Sequence, residues 1–457
     1  MTFHTLTSTS DNCSLLTDLY QLTMAACYAG EGLDQRPASF ELFARRLPEG
    51  FGYLIAMGLE QALDYLEQLR FSAEQIQALQ ATGIFAHVPD SFWTLLAEAR
   101  FNGDVWAIAE GTAVFAHEPL LRIEAPLWQA QLVETYLLNT LNYQTLVATR
   151  AARLRDVAGA DATLLEFGTR RAFSPQGALW AARAALAGGL DATSNVLAAL
   201  SLGRQPSGTM AHALVMALGA IQGTEQDAFT TFHRYFPNAP LLIDTYDSIA
   251  AAKQLAERIK TEGLELGGVR LDSGDLVSVS QTVRSLLPGI PIFASGDLDE
   301  HEVVRLRQAG ACIDGYGFGT KLVSGSPVNG VYKLVEIDGI PTMKSSSGKA
   351  TYPGRKQIFR HLDQSQWSSD TLGLITDTPA QTQPLLSLVM QAGKRLQSPE
   401  TLEAIAHCTA TSVATLPPHI RDISNPTSYT PNISPTLQAL TDQTHARLQK
   451  SEGKIKG

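Results

Sequence analysis

From about residue 164 onward the chain repeats one plan, in which a short apolar run ends in polar or glycine residues and a helical pattern follows. The runs are LLEFGTRR (164–171), LDATSN (190–195), GTMAH (208–212), PLLIDTYDS (240–248), GGVRLDSGD (267–275), PIFASGD (291–297) and DGYGFGT (314–320). Short apolar strands that alternate with helices are typical of a parallel sheet buried on both faces. These runs, with GVYKLVEI (330–337) as a further candidate, predict a closed or nearly closed (β/α) barrel.

Polar side chains follow the predicted strands at their carboxyl ends. In a barrel these ends meet at one mouth, where active sites are built. The residues that we expect to face this mouth are Glu166, Arg170, Ser194, His212, Asp244, Arg270, Asp272, Asp275, Asp297 and Thr320. Helix capping by Asp, Ser and Gly would explain one such polar cluster, but it is a poor explanation for a cluster at nearly every predicted strand end. The pattern therefore favours an active site.

One histidine, His212, lies in the small and apolar segment GTMAHALVMA (208–217). Such a residue is most often a core histidine that a backbone carbonyl satisfies. Its place at a predicted strand end favours chemistry instead, and two roles stay open: a general base, or an acceptor of a phosphoryl group. No second histidine or cysteine stands at metal-binding spacing, so we expect no zinc site there.

The composition narrows the classes of partner. The chain has 457 residues and a net charge of −10, which argues against a nucleic-acid partner or an anionic membrane surface. No apolar stretch reaches membrane-spanning length, and no basic-then-apolar signal opens the chain. The cysteines Cys13, Cys27, Cys312 and Cys408 are far apart. We therefore expect reduced thiols and a cytoplasmic protein.

Several predicted strand-end loops suit anions. RLDSGDL, ASGDL and GFGT expose backbone N–H groups ahead of helices, whose dipoles favour negative charge. The last loops of a barrel commonly bind phosphate, so we expect a phosphorylated substrate. We expect Arg170 and Arg270 to bind a carboxylate or phosphate through bidentate hydrogen bonds from their guanidinium groups. The aspartates beside Ser-Gly could bind Mg²⁺ as carboxylate ligands, or they could stabilise a cationic transition state.

The segments before the barrel combine helical and strand patterns. SLLTDLYQLTMAACYAG predicts a helix that ends at Gly30, with Tyr20 in its first turn. From this pattern alone Tyr20 is best explained as a packing residue. Residues 38–48 and 103–126 predict strands, and a long helical pattern covers 128–159.

Beyond the barrel, VYKLVEIDGIPTMK predicts a hairpin that turns at its Asp-Gly pair. The next stretch, SSSGKATYPGRKQIFR (345–360), lacks the GxxxxGK[ST] spacing of a phosphate loop. Lys349, Arg355 and Lys356 form a basic cluster in it. Two interpretations stay open for this cluster: it reaches an anion, or it is a solvated hairpin face.

A set of motifs, in this order, resembles one enzyme family. The motifs are TDLYQLTM, EFGTRR, ATSNV, GTMAHALVMA, RLDSGDL, ASGDL, GFGTKLV and SSSGKATYPGRKQ. They resemble nicotinate phosphoribosyltransferase, a type II phosphoribosyltransferase, and the resemblance runs from about residue 14 to 360. It implies an α/β fold with an irregular (β/α) barrel and a second α/β domain built from N-terminal and C-terminal segments. We expect that second domain in residues 1–127 and 330–457, and the barrel in 128–329.

The resemblance also implies a reaction. Nicotinate and 5-phosphoribosyl 1-pyrophosphate would give nicotinate mononucleotide and pyrophosphate, with ATP as co-substrate and Mg²⁺ as cofactor. His212 matches the histidine that the family phosphorylates, which couples ATP hydrolysis to the transfer. Asp272 matches a ribose or metal contact. The partners implied are small molecules and a second copy of the chain, in a homodimer with shared active sites.

Two binding sites follow from the same resemblance. The nicotinate residues implied are Tyr20, Phe167, Arg170, Ser194, Thr209 and Arg270. Tyr20 would stack on the pyridine ring from the other subunit, opposite Phe167. The residues implied for 5-phosphoribosyl 1-pyrophosphate are Asp272, Ser295, Gly296, Asp297, Gly317, Gly319 and Thr320.

Two rival functions remain. A nicotinamide phosphoribosyltransferase carries an aspartate for the amide where this chain has Ser194. A carboxylate there would repel the nicotinate carboxylate, so Ser194 favours nicotinate. A barrel that binds a phosphorylated metabolite without catalysis is the other rival, and His212 beside the phosphate loops counts against it.

Overall fold

Antiparallel strands and parallel strands occupy different parts of the chain in the computed structural model, which describes residues 6–344 and 351–455. The chain divides into two units. The first contains the chain up to Leu146, Pro327–Thr401 and the chain from Ala414 onward, and the second contains Val147–Ser326 and Leu402–Val413. The domain boundaries expected after residues 127 and 329 stay predictions.

Helices and strands alternate along most of the chain. The helices are α1 (Leu19–Gly30), α2 (Leu59–Glu67), α3 (Ala73–Ala81), α4 (Asp90–Ala97), α5 (Leu127–Leu132), α6 (Glu134–Ala158), α7 (Pro175–Ala187), α8 (Val196–Ser201), α9 (His212–Gln222), α10 (Glu225–Tyr235), α11 (Ser248–Glu262), α12 (Leu276–Leu286), α13 (Glu300–Gln308), α14 (Thr320–Val323), α15 (Leu402–Thr415), α16 (Pro418–Arg421) and α17 (Pro435–Ile455). The strands are β1 (Pro37–Ala44), β2 (Leu54–Ile55), β3 (Asp104–Ile108), β4 (Ala113–Val114), β5 (Pro119–Pro126), β6 (Thr163–Glu166), β7 (Ala192–Thr193), β8 (Leu241–Leu242), β9 (Val269–Leu271), β10 (Ile292–Ala294), β11 (Gly315–Phe318), β12 (Gly330–Ile337), β13 (Ile340–Pro341), β14 (Lys356–Asp363), β15 (Gln366–Leu374), β16 (Thr382–Pro384), β17 (Leu386–Gln391), β18 (Lys394–Arg395) and β19 (Asn432–Ile433).

Helix α1 is an amphipathic helix of the first unit. It begins after Asp18 and ends at Gly30, as its sequence predicts. Leu22 and Ala25 are buried on one side, as the helical period requires. Tyr20 points away from that side and is 47% exposed. Packing thus fixes α1 through its apolar side and leaves the tyrosine accessible in this unit.

The main sheet of the first unit is antiparallel. Its order is β13-β12-β1-β5-β3-β17-β18, so segments from both ends of the chain share one sheet. Strand β1 pairs with β5 on one side and with β12 on the other. The burial of Phe40 and Leu42 on β1, between these neighbours, places them in the core of this unit.

The segment 330–337 corrects one expectation. It forms β12, which pairs antiparallel with β1 and is no strand of the parallel sheet. The physical reason lies in its turn: Asp338 and Gly339 have φ of 53° and 72°, which is the left-handed conformation of a tight hairpin. A parallel strand would need a crossover connection at this point rather than such a turn.

The second unit contains the parallel sheet. Within the described chain its order is β7-β6-β11-β10-β9-β8, and every neighbouring pair is parallel. Each of these strands comes from one of the predicted apolar runs. The α/β class, with an irregular barrel-type parallel unit and a second α/β unit built from N-terminal and C-terminal segments, is therefore confirmed.

The run GTMAH (208–212) is a second correction, because it forms no strand. It leads irregularly from β7 towards β8: the Ser207 amide donates to the Thr193 carbonyl at 2.9 Å, and His212 contacts Thr245 beyond β8. The run holds Gly208 and Thr209 and few large apolar side chains, so it lacks the burial that would fix it as a strand. This segment is where the barrel departs from a regular repeat.

Helix α15 adds a late segment to the second unit. The hydroxyl of Thr409 donates to the carbonyl of Ala187 at 2.8 Å, which anchors α15 to the end of α7. No membrane-spanning helix was found in the part of the chain that the structure describes.

Candidate active site

His212 is the first residue of α9 and lies beside the loop that follows β8. Its Nδ1 is 3.1 Å from the hydroxyl oxygen of Thr245, and its Nε2 is 3.8 Å from Oδ1 of Asp244. The imidazole is 38% exposed, whereas the Asp244 side chain is only 2% exposed. A carboxylate and a hydroxyl, rather than a backbone carbonyl, therefore surround a histidine that solvent can still reach.

Asp244 ties the loop after β8 to the loop after β9. Its Oδ2 accepts the amide N–H of Asp272 at 2.7 Å and the hydroxyl of Ser273 at 2.8 Å. Its Oδ1 is buried without a hydrogen-bond partner within the described residues and is the oxygen that faces His212. The buried carboxylate thus fixes a loop with one oxygen and holds the other against the imidazole.

Arg270 projects from β9 into the same region. Its Nη1 donates to the carbonyl of Met210 at 3.2 Å, and its Nη2 is 3.6 Å from Oδ1 of Asp272. Its Nε is buried and, within the described residues, has no hydrogen-bond partner. Burial lowers the pKa of Arg270 while the charges of Asp272 and Asp244 raise it, and the positive charge of Arg170 lowers it further. Arg170 is exposed, and its charge acts on Arg270, so the region holds two cationic side chains.

Phe167 supplies an aromatic face beside this cation. The guanidinium carbon of Arg270 lies 5.8 Å from the centroid of its ring, a cation–π distance. The amide N–H of Phe167 donates to the carbonyl of Phe318 at 2.7 Å. Gly317 leaves room for the ring, because a Cβ at that position would lie 2.5 Å from it. The predicted phosphate residue Gly317 therefore has a packing role against Phe167.

Glu166 corrects a further expectation, because it does not face the mouth. It is buried, and its carboxylate accepts the hydroxyl of Thr193 and the amide N–H of Gly168. Burial raises its pKa, although both hydrogen bonds lower it. Its backbone carbonyl accepts the amide of Ser194 at 2.9 Å. Glu166 therefore joins the loops that carry Phe167 and Ser194.

Ser194 and Thr209 lie on adjoining loops. A Cβ placed on Gly208 would be 3.9 Å from Cβ of Ser194, so the segment that carries Thr209 and His212 runs beside the serine. The Thr209 hydroxyl accepts the amide N–H of Met210.

The loop after β10 approaches Asp272 closely. The Ser295 hydroxyl donates to Oδ1 of Asp272. Gly296 has φ of +97°, and a Cβ there would lie 2.1 Å from the carbonyl oxygen of Asp272. The next residue, Asp297, also has positive φ, at 49°, and is exposed. Glycine is thus required at 296 by conformation and by space at once.

An open cavity of about 580 Å³ adjoins this loop. Its lining residues are Asp272, Ser273, Gly274, Leu276, Gly296, Asp297, Leu298, Asp299, His301, Glu302, Arg305 and Lys321. Lys321 lies 3.5 Å from the Asp299 carboxylate, and Arg305 pairs with Glu302 at 2.6 Å. Gly319 and Thr320 form the N-terminal end of α14 just before Lys321. The cavity therefore joins Asp272 to exposed cationic side chains.

Three polar residues of the strand ends serve as helix caps. Asp275 accepts the amide of Val277 at 3.2 Å and caps α12, so it belongs to the helix rather than to the mouth. Asp247 and Asn195 cap α11 and α8 in the same way. Helix capping, which could not explain the whole pattern, does explain these members of it.

The basic cluster after the barrel has a structural role where it is described. Lys356 is buried, with Nζ 2.8 Å from the Glu41 carboxylate. Arg355 lies 3.1 Å from Glu124 and 3.1 Å from Glu336. These cations are neutralised within the first unit. Lys349 lies outside the described residues.

The structure adds residues that sequence reasoning missed. Thr245 follows Asp244 in a run already singled out, so its proximity to His212 was within reach of the sequence. Thr193 likewise precedes Ser194. Glu225 had no such signal, because an acidic residue in the first turn of a helix is ordinary. Of the site residues that the resemblance implies, Tyr20 alone belongs to the first unit.

A divalent cation fits this site only in a limited way. Over residues 6–344 and 351–455, no group of three or more His, Cys, Asp or Glu side chains is arranged to hold a metal ion. Mg²⁺ often uses one or two carboxylates together with substrate phosphates. Asp272, partly exposed beside the cavity, is a donor of that kind.

Comparison with known proteins gives the family. The nicotinate phosphoribosyltransferase N-terminal domain matches residues 15–142, the nicotinate phosphoribosyltransferase family description matches 162–289, and the C-terminal domain matches 355–441. Nicotinate phosphoribosyltransferase pncB2 of Mycobacterium tuberculosis is 39% identical over 423 residues, which cover 90% of this chain and 89% of that protein. Nicotinate phosphoribosyltransferase of Bacillus subtilis is 44% identical over 380 residues, covering 79% and 75%.

Solved structures agree with these matches. The crystal structure of human nicotinic acid phosphoribosyltransferase superposes with a TM-score of 0.83 at 31% identity, covering 93% of this chain and 99% of that one. The nicotinate-nucleotide pyrophosphorylase of Pyrococcus furiosus, at 24% identity and a TM-score of 0.73, shares the fold. Models of this family match most of the length of the chain, and its relatives reach 39% and 44% identity. The chain therefore belongs to the nicotinate phosphoribosyltransferase family.

Proposed function

We propose that this chain transfers the phosphoribosyl group of 5-phosphoribosyl 1-pyrophosphate to nicotinate, the first step of NAD biosynthesis from nicotinate. The observation that carries the proposal is the Arg270 guanidinium, 5.8 Å from the Phe167 ring and 3.6 Å from Asp272. Nicotinate is a flat anion, so an aromatic face beside a cation suits both its ring and its carboxylate. The names of the relatives support the same substrate.

The geometry favours nicotinate over nicotinamide. Arg270 and Arg170 place positive charge near the ring site, and Ser194 adds none of the opposite sign. A neutral amide would gain little from two guanidinium groups, whereas a carboxylate gains charge-assisted hydrogen bonds. Thr209, on the segment beside Ser194, contributes a hydroxyl to the same site.

In the transfer, the pyridine nitrogen forms a bond to ribose C1 while the bond from C1 to the pyrophosphate oxygen breaks. No proton has to move, so the chain's residues act by binding and orientation. Asp272 places a negative charge where the ribose becomes cation-like. Ser295, Gly296, Asp297, Gly317, Gly319 and Thr320 are the residues that we assign to the phosphoribosyl site. Asp272 would also hold Mg²⁺, which supplies positive charge to the pyrophosphate when bound.

We further propose that His212 accepts the γ-phosphoryl group of ATP. Asp244 faces Nε2 and would keep the proton on that nitrogen, which leaves the lone pair on Nδ1. Nδ1 then forms the bond to phosphorus, and the bond to the oxygen of the leaving ADP breaks. The phosphohistidine adds negative charge next to Asp272 and the phosphate loops, where it would help to hold pyrophosphate and Mg²⁺ in reactive geometry. Water later removes the phosphoryl group.

The test uses ATP labelled at the γ-phosphate. The wild type should carry acid-labile, base-stable label, and His212→Ala should carry none. This variant should lose ATP stimulation but keep a weak ATP-independent transfer, because Asp272 and Arg270 remain. An unlabelled wild type, or ATP-stimulated turnover in His212→Ala, would leave His212 as a general base or a structural residue.

We also propose a homodimer in which Tyr20 of the partner subunit closes the ring site opposite Phe167. Its exposure in its own unit and its position on α1 support this assignment. Tyr20→Ala and His212→Ala chains should each lack ATP-stimulated transfer, and mixtures of the two should regain part of that activity once subunits exchange. No recovery after verified exchange would mean that one chain builds the whole site.

The remaining rival is a barrel that binds a phosphorylated metabolite without turnover. A direct assay with nicotinate and 5-phosphoribosyl 1-pyrophosphate separates it from the enzyme, because only the enzyme releases pyrophosphate. For location we propose the cytoplasm, which fits Cys13, Cys27, Cys312 and Cys408 as free thiols.

A further inference from the structure

Glu225 is a second carboxylate close to Asp244. It is the first residue of α10, and α10 packs against α9 and β8. Its Oε1 is buried and, in the part of the chain that the structure describes, has no hydrogen-bond partner. Oδ1 of Asp244 is likewise buried without a hydrogen-bond partner among the described residues. Two buried carboxylate oxygens without partners are costly, and the one that belongs to Asp244 faces His212, so the pair calls for an explanation.

The side chain of Glu225 has no evident part in holding α10 together. Thr224 caps this helix instead, with its hydroxyl oxygen accepting the Asp227 amide at 3.2 Å. A structural glutamate at this place would be expected to bind a backbone N–H or a cation. Glu225 faces carboxylates instead, because the charges that act on it belong to Asp244 and Asp247.

We propose that Glu225 is a positioning residue for His212 that acts through Asp244, since its proton decides how much negative charge stands behind the imidazole. This rests on the proposed phosphorylation of His212. With Glu225 neutral, Asp244 alone faces Nε2 and holds its proton. With Glu225 ionised, the second charge makes the imidazole more basic and repels the incoming phosphates. Both effects slow attack by Nδ1.

The electrostatics set the pH range in which this happens. Burial, then the charge of Asp244, then that of Asp247 raise the pKa of Glu225 to about 7. The charged groups that act on Glu225 are these two aspartates in the loop after β8, and the helix dipole of α10 opposes the shift. With this pKa the ionised fraction rises from about one tenth at pH 6 to about nine tenths at pH 8.

The experiment measures the rate of His212 labelling by γ-labelled ATP between pH 6 and pH 9. The wild type should lose rate as pH rises through about 7. Glu225→Gln has the same shape but cannot ionise, so its rate should not fall over that range. Glu257→Gln, an exposed glutamate on α11, is the matched control and should behave as the wild type.

A second variant tests the direction of the effect. Asp247→Asn keeps the oxygen that accepts the amides of Ile249 and Ala250, and it removes one of the charges on Glu225. The pKa of Glu225 should then fall, so the loss of rate should move to lower pH rather than vanish. The proposal is overturned if the loss of labelling rate occurs at the same pH in Asp247→Asn as in the wild type. It is also overturned if this loss of rate persists in Glu225→Gln.

A measurement on the unphosphorylated protein separates this inference from the proposed function. The imidazole of His212 can be followed by NMR titration and assigned by its absence in His212→Asn. The pH dependence of its ring resonances should differ between Glu225→Gln and the wild type. If this difference appears while no label is ever found, the phosphorylation is wrong and the electrostatic link stands. If label forms but neither readout changes in Glu225→Gln, the positioning role is wrong.

Discussion

Gly296 gives the sharpest prediction for the phosphoribosyl site. Replacing it with alanine adds a Cβ that would lie 2.1 Å from the backbone carbonyl oxygen of Asp272, at a residue with φ of +97°. The carbonyl belongs to the loop that carries Asp272 and cannot move away as a flexible side chain would. The change should therefore displace the loops after β9 and β10 relative to each other.

The magnitude has two parts. A side chain at positive φ costs about 1–2 kcal/mol, and forcing an extra carbon into a filled site costs about 1–3 kcal/mol. The free energy of unfolding should thus fall by about 2–5 kcal/mol. For a unit of this size the melting temperature falls by about 2–4 °C per kcal/mol, so Gly296→Ala should melt roughly 4–20 °C below the wild type.

Gly289 is the matched control. It has φ of +82°, but nothing lies within 4 Å of a Cβ built on it. Gly289→Ala should therefore show only the conformational part, about 2–8 °C, with an unchanged KM for 5-phosphoribosyl 1-pyrophosphate. Gly296→Ala should also raise that KM, because Asp272 moves. Equal melting temperatures in the two variants would refute the steric argument, and an unchanged KM in Gly296→Ala would separate this loop from the substrate.

Other predictions concern the ring site and the first unit. Ser194→Asp should lower kcat/KM for nicotinate, because it places a carboxylate near the substrate carboxylate, and steady-state kinetics that match the wild type would show that Ser194 does not face the ring substituent. Phe167→Ala should raise the KM for nicotinate by about two- to tenfold, the loss of one aromatic stacking contact, with Phe173→Ala, an exposed aromatic, as the control. Burial, then the charge of Asp370, raise the pKa of Glu118 well above its usual range. A carboxyl with a raised folded pKa favours the folded state at low pH, and that stability is lost as pH rises towards the folded pKa. In the wild type the urea concentration at the unfolding midpoint should fall between pH 5 and pH 9, and in Glu118→Gln it should fall less. An equal fall in both proteins would show that Glu118 is not the source of this pH dependence.

The sequence by itself determined the elements whose signals are local. Apolar runs that end in polar residues located β6 to β11, since burial on both faces of a parallel sheet requires them to be apolar. The Asp-Gly pair at 338–339 located a hairpin, because few residues adopt positive φ in succession. The order of motifs indicated the family, because eight motifs follow one another along the chain in the order that the resemblance requires.

Only the tertiary structure decided how these elements are used. GVYKLVEI has the composition of a strand wherever it lies, and its partner β1 is set by pairing between distant segments. In the sequence Lys356 resembles a free cation. In the structure its Nζ lies 2.8 Å from the carboxylate of Glu41, which is far away along the chain. Asp275 and Asp244 are equivalent in sequence terms, yet one caps its own helix and the other bridges two loops.

The same limit applies to the histidine. The sequence placed His212 at a predicted strand end, but the groups around it come from separate parts of the chain: Asp244 and Thr245 lie after β8, and Glu225, whose charge interacts with Asp244, begins α10. Burial and mutual repulsion shift the pKa of Glu225, and both depend on distances across the fold. Local patterns fix which residues are present at a strand end, whereas long-range packing fixes which charges they meet.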